Sequence, residues 1–230
     1  MSYTRQCIIK KCEAAFKDIK TFYKQPFINY AGKTTDTNEY YTEVIAEFLL
    51  KNSDTFINGI PKITRKAHYK TPTHTGNVDA STPREEEKIA IEMFNQSQAG
   101  YTYDFIGDIV DYQTPLKNKR TDCAGKIDLL AYDGKHLRVL ELKKPDSDET
   151  MLRCVLEGYT YLKTVDTIKL LEDFELPKET RVLASPFVFK YGQQYQEMLD
   201  SRPNLFKLMD LLESKPFYIT KENNLYIVED

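Results

Sequence analysis

Apolar residues recur at helical spacing twice within residues 1–52. Ile8, Ile9, Cys12, Ala15, Phe16, Ile19 and Phe22 form one stripe; Tyr40, Tyr41, Val44, Ile45, Phe48 and Leu49 form another, with Pro26 and Gly32 between them. The spacing predicts two helices, an N-terminal helical extension. Residues 53–81, broken by Pro61, Pro72 and Gly76, are expected to be a loop with at most a short strand. A further helix is predicted from Thr82 and Pro83, a cap and a first-turn residue, through Phe94. Strands follow at Tyr103–Tyr112, bent at Gly107, and then at Lys126–Tyr132 and Lys135–Lys144, where Asp133-Gly134 signals a hairpin. After Pro145, Asp146 or Ser147 is expected to cap a long helix, Asp146 with Glu149 at capping-box spacing. Met151, Leu152, Val155, Leu156, Tyr159 and Leu162 form its apolar stripe. A strand over Thr180–Phe189, a helix over Tyr191–Lys215, and a hairpin of Phe217–Thr220 with Leu225–Val228 around Asn223-Asn224 complete the pattern. The order helix, three strands, helix, strand predicts an α/β or α+β domain over residues 82–230, with a mixed central sheet flanked by helices.

Composition narrows the function classes. With 41% hydrophobic and 29% charged residues over 230 positions, the chain has material for a real core. A net charge of -3 excludes a global basic footprint, so any nucleic-acid contact must be local. Two stretches qualify. Residues 57–78 hold Lys62, Arg65, Lys66 and Lys70, with His68 and His74 and no acid. Residues 113–126 hold Lys117, Lys119, Arg120 and Lys126 against Asp122 alone. Such loops are candidate phosphate-backbone contacts, and ordinary solvated loops are the plain alternative. The two histidines lack neighbours that would complete a metal-ligand set. Four scattered cysteines (Cys7, Cys12, Cys123, Cys154) point to a reducing compartment rather than a disulfide framework. Neither a secretion signal nor a membrane-spanning run is visible, so a cytoplasmic location without membrane contact is expected.

The 126–144 hairpin carries the chemistry. With a two-residue loop at Asp133-Gly134, Asp128 lies opposite Val139 and diagonal to Glu141, roughly 7 Å away at the backbone. With a four-residue loop, Asp133 to His136, Asp128 lies directly opposite Glu141. Either even-length loop puts Asp128, Glu141 and Lys143 on one face, because side chains alternate along a strand. The rest of the hairpin is apolar on both faces (Ile127, Leu129, Leu130, Leu137, Val139, Leu140, Leu142), so these charges are expected to be enclosed. Enclosed carboxylates cost several kcal/mol each unless paired or metal-bound, roughly speaking. Lys143 can neutralise one, and a hard divalent cation suits the pair. A salt bridge at the sheet end is the bland reading. Acids at Glu86 and Glu87, in a first helical turn, are equally explained by the helix macrodipole.

Ile127-Asp128, a 12-residue gap and Glu141-Leu142-Lys143 resemble the signature of the PD-(D/E)XK nuclease superfamily, as does the surrounding element order over residues 82–190. Ile127 stands where many members have proline. The resemblance implies a restriction-endonuclease-like core in which Asp128 and Glu141, with Leu142 in the metal set, hold Mg²⁺ (or Mn²⁺), Glu86 or Glu87 helping. Lys143 would orient or deprotonate the attacking water, or neutralise the phosphate oxygens. Lys144 and the basic loops would contact the nucleic-acid backbone, DNA in preference to RNA. RecB-like members carry Gln-x-x-x-Tyr on the next helix; here Glu157 and Tyr161 hold those places, with glutamate for glutamine. The implied activity is endo- or exonucleolytic. The alternative is a nuclease-fold protein that no longer cuts and serves as a nucleic-acid-binding or protein-interaction module. The N-terminal helices are candidate contacts for a second copy or a protein partner.

Overall fold

The computed structural model describes residues 2–77, 84–118 and 125–230. The expected helix start at Thr82-Pro83, and Lys119, Arg120, Asp122 and Cys123, lie outside the described residues. The chain forms a mixed α/β structure around one six-stranded sheet: β1 (Asp108–Pro115), β2 (Lys126–Tyr132), β3 (His136–Leu142), β4 (Arg181–Phe189), β5 (Phe217–Glu222) and β6 (Leu225–Glu229). Spatial order follows chain order. The first three strands form an antiparallel meander, β4 runs parallel to both β3 and β5, and β6 closes antiparallel to β5. The antiparallel pairs β2–β3 and β5–β6 need only short turns. The parallel step from β3 to β4 needs a crossover, which α5 (Met151–Thr164) and α6 (Thr167–Asp173) supply.

β2 and β3 are apolar on both faces because both faces are covered. On one side Ile89, Ala90, Met93 and Phe94 of α4 (Glu85–Gln98) pack against Leu129, Ala131, Leu140 and Leu142. On the other, Leu130, Val139 and Ala184 meet the stripe of α5. That second core continues without a break into α1 (Arg5–Ala15), α2 (Tyr41–Lys51), α3 (Ser53–Gly59) and α8 (Pro203–Leu211), so the N-terminal apolar stripes are spent inside it. No helix among the described residues is long and apolar enough to cross a membrane.

Several boundaries differ from the sequence expectation. The first stripe is not one helix: α1 ends at Ala15, and a 3-10 segment follows through Lys24, interrupted by extended backbone at Asp18. Residues 53–59 are helical rather than loop, and α6 was not foreseen. Tyr103–Gly107 is a turn, with Phe105 and Gly107 at φ 64 and 77, so β1 begins at Asp108 and extends through Pro115. Asp146 and Ser147 do not cap α5: Asp146 is drawn off by Lys144 (2.8 Å), and Thr150 accepts the Arg153 N–H instead (3.2 Å). The run Tyr191–Lys215 is two helices, α7 (Gln193–Leu199) and α8, divided where Arg202 precedes Pro203.

Candidate active site

Between the two hairpin registers the structure adopts the longer loop. Tyr132 pairs with Leu137, and the ladder runs on to Leu129–Leu140, so one step further Asp128 comes opposite Glu141. The Asp133 carboxylate selects this turn by accepting the N–H groups of Lys135 (2.9 Å) and His136 (2.7 Å). On the outer side, the β1–β2 register brings Gln113 opposite Asp128. A row Gln113–Asp128–Glu141 therefore crosses three strands at one end of the sheet, with Lys143 on the same face as Glu141.

Asp128 lines a cleft with Gln113, Lys144, Arg84 and the first-turn acids Glu85, Glu86 and Glu87 of α4. Its Oδ1 accepts from Gln113 Nε2 (3.0 Å) and its Oδ2 from the Leu142 N–H (3.0 Å). Loss of hydration raises its pKa to about 7, with Glu86 adding to the rise and Lys143 opposing it. Glu86 is the α4 acid that turns inward: it accepts the Lys144 N–H (3.2 Å), while Glu87 pairs with Arg84 (3.3 Å). Burial also raises the Glu86 pKa.

Glu141 sits deeper, 3% exposed. Gly158 on α5 allows the helix to approach it: a Cβ there would stand 3.3 Å from Glu141 Cβ. Lys143 Nζ lies 2.8 Å from Glu141 Oε1, 2.8 Å from Glu149 and 3.6 Å from Glu157. Burial works against the Lys143 ammonium, but the surrounding carboxylates outweigh it and hold the charge firmly. Burial, and then the neighbouring Glu157, push Glu141 well above the usual carboxylate range. Glu157 moves the other way: burial raises it, yet Lys143, Arg153 (3.1 Å) and the Tyr161 hydroxyl (2.8 Å) together lower it. The second Glu141 oxygen is buried and accepts from no donor among the described residues; the Glu157 carboxylate beside it can take a hydrogen bond from a protonated Glu141.

Asp128, Glu141, Lys143, Leu142, Glu86, Glu157 and Tyr161 are thus brought together. Glu149 joins them unannounced; its place beside Lys143 depends on how the chain turns after Pro145. Gln113 was also missed, since a lone strand glutamine carries no signal. Lys144 is answered by Asp146 and, at 3.7 Å, Glu85. Among the basic-loop residues, Lys62 is tied to Asp166 (3.1 Å), whereas Lys66, Lys70, Lys117 and Lys126 have no side-chain partner among the described residues. No group of three or more His, Cys, Asp or Glu side chains among the described residues forms a ready metal cage.

Compared with known proteins, the chain matches no family model, and no curated protein or solved structure shows a significant likeness to it.

Proposed function

We propose that this chain is a metal-dependent nuclease of the PD-(D/E)XK kind, built on a restriction-endonuclease-like core and hydrolysing phosphodiester bonds, of DNA in preference to RNA. The reading is carried by one observation: Asp128 and Glu141 face each other across β2 and β3, Lys143 stands beside them, and one buried Glu141 oxygen accepts from no donor among the described residues. Leaving a buried acceptor unsatisfied costs roughly 1–3 kcal/mol, more for a charge. Such a group calls for an explanation, and an ion is one partner that supplies it.

The donor set suits Mg²⁺ or Mn²⁺. Around Lys143 and Arg153 stand Asp128, Glu86, Glu141, Glu149 and Glu157, an excess of hard oxygen donors over cations. Mg²⁺ takes only one or two carboxylates and fills its remaining positions with water and substrate phosphate, so it does not require a third side chain. Asp128 and Glu141 would hold the ion, with Glu86 at the cleft wall. Leu142, placed in the metal set by resemblance, contributes its N–H to orienting Asp128. When bound, the ion lowers the pKa of a water and offsets charge building on the phosphate.

The remaining work falls to the chain. Lys143 keeps its proton, so it acts as a fixed positive charge that steadies Glu141 and the phosphate oxygens. Glu157, itself held by the Tyr161 hydroxyl, steadies that ammonium from α5. Lys66, Lys70, Lys117 and Lys126 supply sequence-independent backbone contacts.

The test is Mn²⁺-dependent cleavage of single- and double-stranded DNA and of RNA by wild type, Glu141→Ala and Lys143→Ala, with melting curves run alongside. Cleavage by wild type and loss of it in both folded variants is expected. Full activity in both variants refutes the assignment. Binding by wild type without cleavage of any substrate would mark a non-cutting module instead.

A further inference from the structure

The two basic loops, far apart in sequence, are stitched together. Arg65 Nη1 donates to the Lys117 carbonyl (2.7 Å), the Lys66 N–H to Asn118 Oδ1 (2.7 Å), and Asn118 Nδ2 to the Thr64 carbonyl (3.0 Å). Tyr69, fully buried, anchors the longer loop by donating its N–H to Asp173 on α6 (2.7 Å) and its hydroxyl to the Ile63 carbonyl (3.2 Å). The result is a pocket lined chiefly by Arg65, His68, Lys70, Thr71, His74 and Asp173.

Arg65 and Lys70 give the lining a positive charge. Asp173, the one acid in the lining, is already engaged by the Tyr69 N–H, by His68 Nδ1 (2.6 Å) and by Lys169 Nζ (2.9 Å). His74 Nδ1 is held by the buried Asp111 (2.6 Å), whose other oxygen takes the Thr114 hydroxyl (2.7 Å), and its ring stacks on Tyr112 at 4.5 Å. Both imidazoles are therefore fixed through Nδ1, which leaves Nε2 as the polar atom of each ring. Arg65 donates to carbonyls and meets no carboxylate among the described residues, and Lys70 has no partner among them. The Arg65 guanidinium and the Lys70 ammonium disfavour a cation and suit an anion. An oxyanion fits these charges, and a ring held through Nδ1 donates to it from Nε2 when the ring carries both protons.

We propose that this pocket is a phosphate-binding subsite, separate from the acid pair and taking a phosphate other than the one cut. Its location supports this: Asp111, which fixes His74, lies two residues before Gln113 on β1, roughly 7 Å along the strand. Gln113 faces Asp128, so one strand lines both places. Assigning the phosphate to a nucleic-acid strand rests on the nuclease reading; the anion site does not. An internal phosphodiester and a terminal phosphomonoester share this chemistry.

The experiment follows the ring resonances of the three histidines in the full, metal-free chain by NMR. The probes are inorganic phosphate, then 5′-phosphorylated and 5′-hydroxyl oligodeoxynucleotides of one sequence. His68 and His74 should shift while His136, held by Asp133 at the hairpin turn (3.0 Å), stays still. Stronger shifts with the 5′-phosphorylated strand identify a terminal phosphate; equal shifts identify an internal one. Lys70→Gln and His68→Gln, both at exposed positions, should each weaken oligonucleotide binding, together about tenfold, and the Lys70 change should lower the salt slope by about one. Silent His68 and His74 signals, or unchanged affinity in both variants, overturn the proposal. Shifts here without any cleavage would keep the subsite and remove the nuclease; cleavage with silent histidines would do the reverse.

Discussion

Gln113 offers the sharpest test of how the acid pair is held. It is the one residue inside a regular strand, among the described non-glycine residues, with a left-handed backbone (φ 48); the others with positive φ lie in turns and loops. That conformation costs about 1–2 kcal/mol for an L-residue, and strain of this kind persists where surrounding structure enforces it, often at functional sites. What it secures is the Nε2 donation to Asp128 Oδ1 at 3.0 Å. Partners that orient a metal ligand are typically worth 10–100-fold in metal affinity, which corresponds to about 1.4–2.7 kcal/mol. Gln113→Leu, which removes the donor and keeps the strain, should weaken Mn²⁺ binding by about that factor in isothermal titration calorimetry. Gln113→Gly removes the donor and also the strain. Relief of about 1–2 kcal/mol less about 0.5–1 kcal/mol of added chain entropy leaves the metal-free Tm level or a few degrees higher. A residue serving only the fold would give the opposite pattern, a lower Tm with unchanged Mn²⁺ affinity. Wild-type affinity in both variants, in a chain that does bind Mn²⁺, refutes the reasoning.

Two further outcomes follow from groups at the site and beside it. Asp128 titrates near 7 in the fold, against 3.8 for an ordinary aspartate, so its proton stabilises the folded state at low pH. That contribution is complete below about pH 4 and is lost as pH rises through about 7. Metal-free Asp128→Asn should therefore gain in Tm over wild type between pH 5 and 8, and added Mg²⁺ should stabilise wild type increasingly across the same window; differential scanning fluorimetry reads both, and a pH-independent difference counts against a proton on Asp128. Thr150→Ala should cost about 1 kcal/mol, or roughly 2–4 °C in Tm, because it removes the α5 cap and the hydroxyl bond to the Ile28 carbonyl (2.8 Å); an unchanged Tm would show that Glu197, which takes the Met151 N–H (2.9 Å), caps α5 alone.

The sequence carried the face-sharing of Asp128, Glu141 and Lys143, because strand parity survives either even loop length. It did not carry the register itself, which depends on the Asp133 carboxylate taking two backbone N–H groups, a choice made by side-chain geometry rather than by the Asp-Gly pattern. The mixed sheet with helices on both faces was legible from hydrophobic period and element order. The α7–α8 break was not weighed although Pro203 announces it, and α6 was missed because seven residues give too little periodicity. The cap of α5 went to Thr150 because Lys144 and Lys143 compete for Asp146 and Glu149. Sequence spacing cannot show such long-range claims on an acid. The pairing of the two basic loops is equally invisible, since it runs through backbone carbonyls and one asparagine.

Burial alone does not mark the site; the way each buried acid is answered does. Glu43 is 7% exposed and Glu197 6%, close to Glu141. Glu43 spends both oxygens on the N–H groups of Asn204 and Leu205 (2.9 Å each) at the start of α8, and Glu197 takes the Met151 N–H at the start of α5. Both lie where helix N-termini offer unpaired donors and favourable potential, so the fold accounts for them. Glu141 lies at no helix start. One of its oxygens shares Lys143 with two other glutamates, and the other faces no donor among the described residues. The deficit stands directly across from Asp128, which in turn is held by the strained Gln113 and shares its cleft with the inward-turned Glu86. Glu43 and Glu197 are answered by backbone N–H groups at helix starts, whereas Glu141 is answered on one oxygen only, by the Lys143 ammonium. That difference, within one protein and at matched burial, separates acids that the fold accounts for from one that it does not, and it is the difference on which the proposed metal role of Glu141 rests.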